Sequence, residues 1–313
     1  MQYMHNHTGG TARGYACGIM AAVAYGTNPL FSLRLLRLGL DVETILFCRF
    51  ALAALALGVF VIVSGRSLAV PRRAVLPLVV AGVVFAMSSQ TLYQSFLYMD
   101  AGIACSILFV YPILVAVIMA LFFHERASWL TYACIAVALA GIALLYRGDG
   151  SGGLSLEGLL LVVASSLFYA IYIVGVDHSR LAPLPSVRMT FWVLSAGALT
   201  FLVITGMGTQ LRPVELSSAC LVNVVGVALV PTVIPILFIN VAIKSIGPTS
   251  SAVIGALEPV TALVIGATVF GESVTPRTVL GAAMIFAAVI VIVCRPAIER
   301  VRHKKGASHS EKG

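Results

Sequence analysis

Ten apolar runs follow one another along this chain with only short polar connections, at approximately 14–33, 44–64, 75–98, 103–123, 129–146, 155–176, 187–205, 219–243, 248–270 and 276–294. About 20 consecutive apolar residues cross a bilayer core as a helix. The succession therefore predicts an all-α membrane protein of ten transmembrane helices, with neighbours antiparallel because most connections are short. Composition points the same way. Of the 313 residues 60% are hydrophobic and 10% charged, and mean hydropathy is +1.03. Soluble domains carry about 25% charged residues. A soluble core of this size has no way to bury that much apolar surface, so lipid must cover it.

The runs come in two matching sets. The fourth carries Tyr111-Pro112 at its middle and is followed by Glu125; the ninth carries Glu258-Pro259 and is followed by Glu272, each proline standing 13 positions before the acidic residue. Each acid leads through a short polar turn (Arg126-Ala127-Ser128; Ser273-Val274-Thr275) into another apolar run. The stretch 148–153, GDGSGG, has the composition of a flexible linker between the halves. The expected units are a five-helix repeat over 14–147, a second over 154–295 and a basic tail over 296–313. Lys and Arg concentrate on one side of the spans when both termini are cytoplasmic, as the positive-inside rule requires. Five spans per half is an odd number, so the halves must face opposite ways. That is the inverted-repeat plan of many secondary transporters.

Several function classes drop out. The net charge of +8 comes from loops and the tail, so it reads as a topology signal rather than a nucleic-acid surface. The basic tail can also touch anionic headgroups. The six cysteines (Cys17, Cys48, Cys105, Cys134, Cys220, Cys294) lie in or at the ends of apolar runs without C-x-x-C spacing and read as small hydrophobes. His5 and His7 sit in an aperiodic N-terminal stretch and are not read as metal ligands. The run 14–33 exceeds the length of a signal-peptide core and is read as a retained helix. G-x-x-x-x-G-K-[ST], H-E-x-x-H and G-x-S-x-G are all missing from the sequence. The expectation is a non-enzyme with no cofactor and no metal, which does not itself consume ATP.

Candidate site residues are the polar groups inside the runs. An ionised Glu258 at mid-membrane costs roughly 2.5–3.5 kcal/mol on insertion scales, and Pro259 beside it cannot donate to the Gly255 carbonyl. Together they suggest a polar cavity where Glu258 binds an amine or exchanges a proton. The bland alternative is a neutral glutamate hydrogen-bonded to a neighbouring helix. Arg49 is either an anchor for a substrate carboxylate or a snorkelled side chain paired with Glu43. Gln90, Gln94 and Tyr98 recur at i, i+4 and i+8, with Tyr93 alongside, giving a polar stripe that faces substrate or another helix. Superposing the halves at Tyr25 and Tyr169 sets Asn28 level with Tyr172, aromatics and an amide suited to an amphipathic solute or simply to core packing. Tyr111 stands where the other half has Glu258, and Asn240 follows Pro231 and Pro235. Pro29, Pro112, Pro231 and Pro259 mark where helices bend and gate. Glu125 and Glu272 are read as structural, beside Ser128 and Thr275 as helix N-caps. Asp100, Lys244, Asp177 and His178 are read as interfacial.

Ala101-Gly102 before Pro112, His124-Glu125-Arg126, Glu258-Pro259, Gly271-Glu272, Arg49-Phe50 and Gly26 together resemble the EamA family of the drug/metabolite transporter superfamily, over roughly residues 14–295. Tyr111 opposite Glu258, and His124 where the family commonly has glycine, depart from its pattern. The resemblance implies export of small metabolites, often amino acids or related compounds, across the bacterial inner membrane. It also implies a cavity lined by spans one, three, four, six, eight and nine, with five and ten peripheral. The expected activity is secondary transport of a small amphipathic metabolite by alternating access. The alternatives are a passive facilitator, an intramembrane enzyme or a scaffold; proton coupling, and the choice between monomer and homodimer, stay open.

Overall fold

The computed structural model describes the backbone of residues 5–124, 129–145, 155–213 and 217–310, and the side chains of these except 5–10, 247–250, 252, 253 and 295–310. Glu125, Arg126, Ser128, the 148–153 linker, and the side chains of His5, His7 and the basic tail lie outside the described residues.

The described residues form helices and no strand. α1 (His5–Gly26) and α2 (Asn28–Arg37) make one broken path, followed by α3 (Val42–Val63) and α4 (Arg72–Ser95). α5 (Ala101–Leu108) and α6 (Tyr111–Phe122) are again two halves of one path, then come α7 (Trp129–Leu145), α8 (Leu156–Asp177) and α9 (Ser186–Ile204). α10 (Ser218–Ala228) continues through a π-helical turn at Leu229–Val233 into α11 (Ile234–Gly255). α12 (Leu257–Ile265) ends in a second π-helical turn, Gly266–Phe270, before α13 (Pro276–Ser310). Among the described residues, eight segments are long and apolar enough to cross a membrane, and Trp129–Leu145 and Leu257–Phe270 are two shorter apolar helices. The sequence boundaries shift in three places. Helix begins at His5 and runs on to Ser310, beyond the apolar runs at both ends, and it continues past Lys244 to Gly255.

Helix starts follow local chemistry. Asp41 accepts from the Thr44 N–H at 3.3 Å and from its hydroxyl at 2.7 Å at the head of α3. Ser155 and Ser217 accept from Gly158 and Cys220 at 3.0 and 3.3 Å, and Thr275 accepts from Thr278 at 3.2 Å. These are side-chain N-caps, each worth about 1 kcal/mol.

In the bundle α1 packs on α11, α4 on α8, α3 on α9, α5 on α12 and α7 on α13. Lipid gives helices no hydrophobic reason to associate, so close approach of small residues does much of the work. Gly141 and Gly281 face each other so closely that a Cβ on either would stand 2.8 Å from the other's carbonyl oxygen. At Gly82 a Cβ would lie 2.5 Å from that of Ala196.

Contacts between helix ends sort them into two groups. In one, Arg212 donates to the Gly39 carbonyl and lies 3.9 Å from Asp41, Arg37 lies over the Phe270 ring, Glu272 accepts from Ala101 and Gly102, and Arg277 donates to Leu144. In the other, Trp192 and Arg188 donate to the Leu68 and Ala69 carbonyls, and Phe123 packs on His178.

Candidate functional site

A proline inside a helix leaves the carbonyl four residues earlier without its backbone donor. Within a membrane that carbonyl needs another partner. Pro112 frees Leu108, whose carbonyl accepts from the Ser166 hydroxyl of α8 at 3.3 Å. Pro231 frees Val227, whose carbonyl accepts from the Thr232 hydroxyl at 3.0 Å in the π-helical turn. Before Pro29 the chain breaks at Thr27, whose hydroxyl donates to Ala24 at 2.6 Å. Pro259 frees Gly255, where α11 gives way to α12 at Ala256. All four prolines singled out in the sequence thus stand at breaks or irregular turns.

Three of these breaks, those at Pro29, Pro112 and Pro259, line a cavity of about 390 Å³. Tyr25 and Asn28 reach it from the first break, Tyr111 and Pro112 from the second, and Gly255 and Glu258 from the last. Aromatic rings form one wall. Tyr111 meets Tyr169 edge-on at 4.6 Å between centroids, and Phe109 meets Tyr111 the same way at 6.0 Å. Phe85 lies 6.1 Å from Tyr169. Ser88 and Ser89 of α4, Cys105 of α5 and Pro235 of α11 complete the more polar and irregular parts. Glu258 stands in the first turn of α12, where the helix dipole favours an anion. It has no hydrogen-bond partner among the described residues.

Arg49, with 3% of its surface exposed, also lines the cavity. Its Nε donates to the Thr232 hydroxyl at 2.9 Å and one Nη to the Tyr93 hydroxyl at 3.0 Å. Tyr93 in turn donates to Asn28 Oδ1 at 2.6 Å. The snorkelled alternative is therefore corrected: Glu43 accepts from Gln90 instead. Arg49 lies about two turns inside α3, on the face turned toward α4 and the π-helical turn, where hydroxyls await it.

Of the residues singled out in the sequence, Tyr25, Asn28, Arg49, Tyr111, Tyr169 and Glu258 converge on the cavity. Pro112 lines it as well, and the other candidate solute contacts lie elsewhere. Gln90 bonds Glu43, Gln94 is half-buried away from the cavity, and Tyr98 is exposed. α4 ends at Ser95, so the helical stripe that included Tyr98 does not continue that far. Tyr172 packs behind Phe85 at 5.1 Å, and Asn240 donates to its own helix at Ile236. The expected lining by spans one, three, four, six, eight and nine also needs correcting. Arg49 of α3 joins it, as do Val289 and Val293 of α13, because α13 packs against α5, α6 and α11 as well as α7. Sequence reading missed Thr232, Ser88, Ser89 and the aromatics Phe85 and Phe109. The only signal for Thr232 was its place next to Pro231.

Glu272 is a different kind of residue. From the turn after Phe270 its two oxygens accept from the Ala101 and Gly102 N–H groups, at 2.9 and 3.0 Å, at the start of α5. Burial pushes its carboxyl above the usual range, against the lowering pull of those two N–H groups and of Arg37. Gly271 before it has φ +73°, a conformation that favours glycine. Asp100 occupies the N-cap position of the same helix.

Among solved structures, one crystal structure superposes with a TM-score of 0.64 at 17% identity, covering 92% of this chain and 98% of its own, which establishes the fold. An uncharacterized transporter of Archaeoglobus fulgidus is 26% identical over 282 residues, 89% of this chain and 95% of the relative. The uncharacterized transporter YxxF of Bacillus subtilis is 24% identical over 283 residues, 88% of each chain. YdfC of the same organism, also an uncharacterized transporter, is 26% identical over 58% of this chain and 59% of its own length. The model of the EamA-like transporter family matches twice, at residues 12–147 and again at 156–294. With helices long and apolar enough to cross a membrane, a cavity at their breaks that holds an arginine and a glutamate, and this double match, the chain belongs to the EamA-like transporter family.

Proposed function

We propose that this protein is a secondary transporter that exports small amphipathic metabolites, amino acids or related compounds, across the plasma membrane by alternating access. The observation that carries this reading is the cavity itself. It holds one buried cation, Arg49, one carboxylate, Glu258, and an aromatic wall, and three broken helical paths contribute residues to its lining at their breaks. Ligand sites in transporters are commonly built from such interrupted helices. In this reading Tyr25, Asn28, Arg49, Tyr111, Tyr169 and Glu258 contact the solute, while Gln90, Gln94, Tyr98, Tyr172 and Asn240 support the helices that carry them.

The proposed architecture is two five-helix repeats, 14–147 and 154–295, in opposite orientation with both termini cytoplasmic. The double family match supports two copies. So does the packing: exchanging the halves turns the α4·α8 contact into α11·α1 and leaves α3·α9, α5·α12 and α7·α13 unchanged. The two groups of helix ends support the inversion. The turn between the first two spans of the first half groups with the turn between the second and third of the other half.

The test is transport by the purified protein in liposomes, with and without a pH gradient. The wild type is expected to move amino acids or their relatives, faster with the gradient, and Glu258→Gln to lose that acceleration while retaining exchange. Equal wild-type rates with and without the gradient mark a passive facilitator. A wild type that moves no candidate solute in either direction overturns transport.

A further inference from the structure

We propose that Tyr93 and Thr232 are positioning residues that aim the Arg49 guanidinium into the cavity, making a carboxylate the feature by which the carrier selects its solutes. This rests on the transport reading above and deepens it. Tyr93 gives its proton to Asn28 Oδ1, and Thr232 gives its proton to the Val227 carbonyl. Each oxygen is thereby left as an acceptor facing Arg49, at 3.0 and 2.9 Å. A rotating hydroxyl that is fixed by a second bond fixes its partner in turn.

The partners of Arg49 are neutral. Among the described residues no carboxylate oxygen lies within 4.0 Å of it, so its charge is hydrogen-bonded but not neutralised at contact. Burying a cation without an anion is costly. A guanidinium has five N–H donors, and the two bonds to Tyr93 and Thr232 leave others for a ligand on the cavity side. Planar, bidentate donors of this kind suit a carboxylate, the anionic group of the amino acids and related compounds proposed above. Glu258 faces the same cavity without touching Arg49, so a solute bearing both an acid and an amine has a partner at each end. Tyr93 is fully buried and does not line the cavity, so an effect of its hydroxyl on ligand choice must pass through its two partners, Arg49 and Asn28. Thr232 bonds Arg49 and not Asn28 and so isolates the Arg49 route.

The experiment measures affinity in the purified full-length protein for neutral L-amino acids, each paired with the amine left when its carboxylate is removed. The wild type is expected to bind the acid at least about tenfold more tightly than its amine. Tyr93→Phe and Thr232→Val should each reduce that ratio about fivefold with the amine's affinity changed less than twofold, and Thr232→Ser should restore it. Parallel losses for acid and amine, or an unchanged ratio in both hydroxyl-deleted variants, overturn the proposal. A wild type that transports acids and amines without preference overturns it alone and leaves transport standing. One that transports neither overturns both.

Discussion

Gly26 shows how narrowly one position is constrained here. It closes α1 directly against α12, and a Cβ there would stand 2.5 Å from the Glu258 carbonyl oxygen and 2.6 Å from Thr261 Cβ. Backbone cannot yield like the end of a flexible side chain, so the whole of α12 would have to move. Gly26→Ala is expected to cost about 1–3 kcal/mol, in the range of an overpacked core, seen as a lower melting temperature in detergent. Because the displaced segment carries Glu258, solute affinity should fall with it. A substitution that leaves both unchanged would show that the helices do not meet this closely in solution. Glu258 itself was legible as a site candidate from its cost in lipid alone. Arg49 was legible only as ambiguous, since its direction depends on a hydroxyl 183 residues away.

Breaks in the helices are where sequence and packing meet. The prolines at 29, 112, 231 and 259 announce that four carbonyls lose their usual donor, but they do not say what replaces it. At Leu108 the replacement is Ser166 from another helix, and at Val227 it is the neighbouring Thr232. This yields a double-mutant test. Ser166→Ala should cost about 1 kcal/mol, the scale of one net hydrogen bond, when Pro112 is present. In a Pro112→Ala background, where the backbone N–H returns to Leu108, the same change should cost measurably less. Equal costs in the two backgrounds would mean that Ser166 acts through its other bond, to Val162 at 2.9 Å. The Gln90–Gln94–Tyr98 stripe failed as a site predictor for a reason at this same scale. Helical periodicity holds only while the helix lasts, and it names a face without naming what that face meets.

For the molecule as a whole, the decisive prediction concerns sidedness. Opposed halves with both termini cytoplasmic, as proposed above, would put Thr209 outside and Ser67 inside, on turns that fall in the two different groups of helix ends. A membrane-impermeant maleimide added to intact cells should label a cysteine placed by Thr209→Cys and spare one placed by Ser67→Cys, with the order reversed in inverted vesicles. Labelling of both from one side would sink the inverted arrangement. The sequence alone determined that this chain lives in lipid, that it is helical, roughly where most of its spans fall, and that the ninth apolar run holds a costly acid beside a proline. These follow from hydropathy and backbone chemistry, which act locally and leave a mark in composition and spacing. Only the tertiary structure decided which polar residues share a cavity, that Arg49 turns inward, that α13 contributes to the lining, and that Glu272 caps a helix 171 positions earlier in the chain. Those outcomes depend on which faces meet across the bundle, and in a membrane, where every helix is apolar nearly all round, the pattern of one helix carries almost no information about its neighbour.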